Sequence, residues 1–99
     1  MVSMITIDDT YLKDCPELIL RSHVDLSIAS NPKILYKKPD GVTGNWIAII
    51  VEQNITYQPT TEQIDLVGIW TLQAYIEIDG LPFHGDPVRM VVKSLPIII

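Results

Sequence analysis

The residues in this chain that could do chemistry are few and poorly spaced for it. His23 and His84 lie far apart, and neither sits in an HxxxH or CxxC pattern. A zinc site needs about four ligands, mostly Cys or His, so both histidines read as loop residues. Cys15 is the single cysteine and precedes Pro16. With no basic neighbour in sequence to lower its pKa, it reads as a structural thiol rather than a nucleophile. Asp8, Asp9, Asp14 and Glu17 supply carboxylates, but calcium takes about six to eight oxygens from a defined loop, and the Asp-x-Asp-x-Asp-Gly spacing is absent. They read as a solvated acidic patch. Neither a Gly-x-Ser-x-Gly nor a glycine-rich phosphate loop is present. The expectation is a protein that is not an enzyme, with no catalytic residue, no metal ligand and no cofactor.

Aromatic and apolar surfaces are the other candidates. Tyr36, Trp46, Tyr57 and Tyr75 could form a sugar-binding platform, but Trp46 leads a run of large apolar residues and belongs in a core. Tyr75 differs, because it falls on the polar face of a long alternating strand, where an exposed tyrosine suits a protein interface or a glycan. At the C-terminus, Pro96 is followed by Ile97, Ile98 and Ile99. Left in water, three adjacent β-branched residues would be prone to aggregation. They either extend an edge of their own sheet or dock on another subunit. Candidate partner contacts are therefore Tyr75, Ile97, Ile98 and Ile99, with residues 1–10 and 95–99 as partner-contacting ends.

The elements that must position these residues are strands. Trp70, Leu72, Ala74, Ile76 and Ile78 alternate with Thr71, Gln73, Tyr75 and Glu77, the period of two expected of a half-buried strand. Shorter strands are predicted over residues 16–22, 33–38, 45–52, 55–58 and 88–93. The run 45–52 is so apolar that it reads as a strand covered on both faces, or on one face by a partner. Pro39-Asp40-Gly41 and Asp79-Gly80 are turn signals, and residues 24–32 and 82–87 read as loops. Thr60 with Gln63 three residues on has the form of a capping box, which predicts one helical turn. Six or seven short strands without a helix-length amphipathic segment predict an all-β sandwich.

Composition agrees with one folded domain spanning 1–99. Hydrophobic residues make up 47% of the chain and charged residues 19%, a globular balance. The net charge of −5 repels polyanions, which argues against nucleic-acid binding. No apolar run approaches the roughly 20 residues of a membrane span, so no membrane partner is expected. The first residues lack the pattern of a secretory signal, which implies synthesis in the cytoplasm. Asn54-Ile-Thr56 matches a glycosylation sequon, without meaning unless the chain is exported.

The corner Asp65-x-x-Gly68-x-Trp70-x-Leu72-x-Ala74 resembles the strand F signature of the immunoglobulin fold, Asp-x-Gly-x-Tyr-x-Cys-x-Ala. Trp70 stands in the tyrosine-corner place, Leu72 in that of the second cysteine, and one extra residue precedes the glycine. An indole N–H donates but does not accept, so its corner hydrogen bond must differ from that of tyrosine. The order Val24-Asp-Leu-Ser27, Lys37-Lys-Pro-Asp-Gly41, Trp46, Ile55-x-Tyr57, Asp65-x-x-Gly68-x-Trp70, Gln73-Ala74-Tyr75 and Asp86-Pro-Val88 is similar to small immunoglobulin-like bacteriophage structural proteins. These resemble the N-terminal domain of phage upper-baseplate proteins. The resemblance implies an immunoglobulin-like antiparallel sandwich of about seven strands, carried in a virion and made in the bacterial cytoplasm. It implies as partners other phage virion proteins of the head, tail or baseplate, or further copies of the same chain. A carbohydrate-binding or host-surface adhesion module is the alternative.

Overall fold

The computed structural model of the protein describes residues 2–5, 10–11, 17–22, 24–60 and 62–93. The described residues form ten strands: β1 (Val2–Ile5), β2 (Thr10–Tyr11), β3 (Leu18–Ser22), β4 (Ala29–Lys37), β5 (Thr43–Ile47), β6 (Ile49–Val51), β7 (Asn54–Tyr57), β8 (Gly68–Ile78), β9 (Leu81–His84) and β10 (Val88–Lys93). One 3-10 turn, Leu26–Ile28, is the only helical element among the described residues, with the Asp25 side chain accepting from the Ser27 N–H at its start.

The strands form two sheets, β1-β3-β7-β6 and β2-β10-β8-β4-β5, with β9 also paired to β8. With β3, β4, β7, β8 and β10 in the B, C, E, F and G places, this is the immunoglobulin order, A-B-E-D on one sheet and G-F-C with a C′ strand on the other. The number exceeds the expected seven because β1 and β2, like β5 and β6, pair in different sheets and β9 adds a hairpin arm to β8. One pair, β10 with β2, is parallel; the other pairs are antiparallel.

The alternation predicted for β8 places Trp70, Leu72, Ala74 and Ile76 in the core, against Leu18 and Leu20 of β3, Ile55 of β7 and Met90 and Val92 of β10. In place of a disulfide, aromatic rings bridge the sheets. Trp46 of β5 stacks on Tyr57 of β7 with centroids 5.1 Å apart and planes 7° apart, and on Tyr36 of β4 at 4.5 Å. Such offset pairs add about 0.5–1.5 kcal/mol beyond the area they bury.

The two expected loops, 24–32 and 82–87, are strand in part, over residues 29–32 and 82–84. β4 begins at Ala29 because Ala29 and Ser30 pair with Ile78 and Glu77, and the register then slips before Lys33. Asn31, at φ 50°, absorbs that slip as a bulge. Likewise Leu81–His84 pairs with β8, across a two-residue turn in which Asp79 has φ 53° and Gly80 φ 76°, the geometry that hairpins prefer. Pro82 is tolerated there because β9 is an edge. At residues 60–63 the Gln63 N–H donates to the Thr60 carbonyl and the Gln63 side chain accepts from the Thr60 N–H. Half of the capping box thus forms, around a turn rather than a helix.

The greatest departure is at residues 45–52. This run is not one strand covered on both faces. β5 is the outer strand of one sheet, and after Ala48 the chain continues as β6, the outer strand of the other.

Candidate functional site

The motif at 65–72 is a structural corner. The Trp70 indole N–H donates to the Leu66 carbonyl at 2.9 Å, so an indole replaces the tyrosine hydroxyl as donor to an upstream backbone oxygen. Gly68 has φ +133°, and a Cβ there would lie 2.7 Å from Pro39 Cγ; glycine is required by both conformation and space. The Lys38–Asp65 ion pair at 3.1 Å closes the same corner, with Lys38 Nζ 5.5 Å above the Trp70 ring. Both sequence motifs, Lys-Pro-Asp-Gly and Asp-x-x-Gly-x-Trp, are thereby consumed in holding β4 to β8.

Tyr75 lies on the outer face of the larger sheet, as predicted, but it is engaged there. Its hydroxyl donates to Glu77 Oε2 at 2.7 Å, and Asn31 donates to Glu77 Oε1 at 2.9 Å. Lys33 Nζ sits 5.6 Å from the Tyr75 ring centre, while His84 meets the ring edge-on at 5.2 Å. The hydrogen bond from Tyr75, then that from Asn31, holds the Glu77 carboxyl below its ordinary range, with a smaller contribution from Lys33. The same bond to Glu77 raises the Tyr75 hydroxyl. His84 and Tyr75 are brought together, and Ser30 pairs with Glu77 on the neighbouring strand.

On the same face, Leu35, Tyr36, Lys37, Thr43, Gly44, Asn45, Thr71 and Gln73 line a shallow, open cleft of about 510 Å³. That set supplies donors and acceptors, with Tyr36 and Lys37 its titratable side chains and no carboxylate, imidazole or thiol in the lining. Among the described residues no group of His, Cys, Asp and Glu is arranged to hold a metal ion, and no helix is long and apolar enough to cross a membrane. The aromatic platform does not form, since Trp46 is 6% exposed and stacks between Tyr36 and Tyr57 inside the sandwich.

What the surface does offer is apolar side chains in groups. Ile47 is 79% exposed and Ile49 62%, with Val42 and Val51 also exposed, all along the single stretch that edges both sheets. At the hairpin tip, Leu81 and Phe83 are exposed as well, beside their partners Ile78 and Ile76. These residues were not singled out from the sequence. The signal available was that residues 41–51 contain no charged residue, although natural edge strands are usually guarded by charge or proline. Ile97, Ile98 and Ile99, like Cys15, His23 and residues 6–9, fall outside the described residues. Comparison of the chain with protein-family models, with curated proteins and with solved structures finds no match.

Proposed function

We propose that this domain is a non-catalytic structural module of a bacteriophage particle, an immunoglobulin-like unit attached to head, tail or baseplate proteins through its sheet edge and its C-terminal Ile97, Ile98 and Ile99. The observation that carries the reading is the bare apolar edge at 43–51. A monomer that kept Ile47, Ile49 and Val51 in water would carry an unguarded aggregation site, whereas a component of a larger assembly covers it. The ordered resemblance to phage structural proteins supplies the kind of assembly. The carbohydrate-binding alternative loses support, because Tyr36, Trp46 and Tyr57 stack on one another, which leaves Tyr75 alone of the four rings on the outer face.

Mass spectrometry of purified phage particles from the source of this gene tests the reading directly: stoichiometric copies are expected, and absence from intact particles overturns it. Removing Ile97, Ile98 and Ile99 is expected to leave the melting temperature unchanged and to reduce retention on particles. A large loss of melting temperature would assign these residues to the domain's own core instead.

A further inference from the structure

We infer that the outer strand of the larger sheet pairs with the same strand of a second copy, so that two domains share one continuous sheet through β5. This rests on the reading of the domain as an assembly module and names the partner at that edge.

The hydrogen-bond directions of β5 set the geometry. The Ala48 N–H donates to the Pro32 carbonyl and the Lys38 N–H to the Val42 carbonyl, in the same register that pairs Gly44 with Tyr36 and Trp46 with Ile34. Even-numbered residues from 42 to 48 thus turn their backbone groups toward β4. Thr43, Asn45 and Ile47 turn theirs the other way, to a side on which no strand lies among the described residues. In an antiparallel ladder, bonded pairs join residues whose N–H and C=O both face the seam. A two-fold axis at Asn45 satisfies all three together, with Asn45 opposite Asn45 of the second copy and Thr43 opposite Ile47 in both directions. Centring the axis on Ile47 instead would set Asn45 against Ile49, which pairs inward with Thr56 of β7. Axes at Gly44 or Trp46 would join only two of the three outward residues to one another, so the axis at Asn45 is the self-complementary register that engages all of them, as an isologous interface allows.

Charge permits the approach. The chain carries −5, which opposes most contacts between copies, but residues 41–51 are uncharged. Lys33 and Lys37 neighbour Ile47 and Thr43 on β4. Across the seam Lys37 would face Lys33 of the second copy at three strand spacings, about 14 Å, beyond the ~8 Å screening length at physiological salt. Pairing would cover Ile47, the most exposed of the large hydrophobic residues along this edge. A seam one strand wide is smaller than the ~1,600 Å² of a standard stable interface, so association is expected to depend on concentration rather than to be obligate.

Sedimentation equilibrium of the full chain between about 1 μM and 1 mM, with hydrogen exchange of individual amides, tests the pairing. The expected result is a reversible dimer in which the Thr43, Asn45 and Ile47 amides gain protection as concentration rises. Ile47→Lys is expected to weaken it at least tenfold with an unchanged melting temperature, and Val91→Lys, an equal charge change on β10, to leave it intact. A monomer throughout that range overturns the inference, as does a dimer indifferent to Ile47→Lys. Protection of these amides only on particles would assign the edge to a strand of another protein. A dimer absent from particles would remove the virion reading alone, and a monomer found in particles would remove the pairing alone.

Discussion

The corner at residues 65–72 and the edge at residues 43–51 are both built from large apolar side chains at alternating positions, yet one is closed on itself and the other open. At the corner the indole N–H finds the Leu66 carbonyl, Lys38 finds Asp65, and Trp70 and Leu72 are fully buried. At the edge Trp46 and Ala48 are buried while Ile47 and Ile49 are exposed, and Thr43, Asn45 and Ile47 turn their backbone to a side with no strand among the described residues. The difference teaches that hydrophobicity alone does not separate core from contact surface. Position in the sheet does, because the same alternation has two covered flanks in β8 and one in β5.

The comparison is broken most directly by shortening one leucine. Leu72→Ala removes a side chain with 0% exposure and is expected to cost about 2–5 kcal/mol, the range for large-to-small changes in a packed core. Chemical denaturation measures it, and a variant as stable as the parent would show that the corner is not closed. Gly68→Ala comes next. It forces a side chain to φ +133° and against Pro39, and strain of this kind costs about 1–3 kcal/mol. By contrast Ile47→Lys, at a residue 79% exposed, is expected to change the monomer's stability by less than about 0.5 kcal/mol. A larger loss would mean that the edge is packed by its own domain.

The corner was legible in part: the Trp70–Leu66 bond spans four residues, whereas the Lys38–Asp65 pair and the approach of Pro39 to Gly68 join segments far apart in the chain, which the two turn signals did not show to meet. The face of β8 was legible because period-two alternation needs no knowledge of neighbours. Long-range pairing decided what was not legible. Ser30, Asn31 and Pro32 favour a turn locally, but pairing of Ala29 and Ser30 with Ile78 and Glu77 makes them strand. The apolar run at 45–52 looked like a covered strand because nothing in it marks Ala48 as the point where partners change from β4 to β7. For the same reason the exposed Ile47, Ile49 and Val51 could not be separated from core residues. Tyr75 was assigned to the correct face, but its bond to Glu77 depends on side-chain placement that a pattern does not encode.

That bond supplies the smallest and most specific test of the comparison, because it decides whether the outer face is satisfied like the corner or available like the edge. Glu77 accepts from Tyr75 and Asn31, and the first of these chiefly lowers its pKa. A carboxyl with a lowered folded-state pKa contributes stability that is fully present above the ordinary glutamate range and lost as pH falls through the lowered value. The Tyr75 hydroxyl, raised by the same contact, contributes stability that is present below the ordinary tyrosine range and lost as pH rises through the raised value. The contact is thus expected to hold across the neutral range and to fail at both extremes, with a small effect because the cluster is solvated. Titration of the Glu77 side-chain carboxyl by NMR is expected to show a midpoint below that of free glutamate, and Tyr75→Phe is expected to move it upward. A midpoint that Tyr75→Phe leaves in place would mean that the hydroxyl is not committed to Glu77, and Tyr75 would then join Ile47 among the groups free to meet a partner.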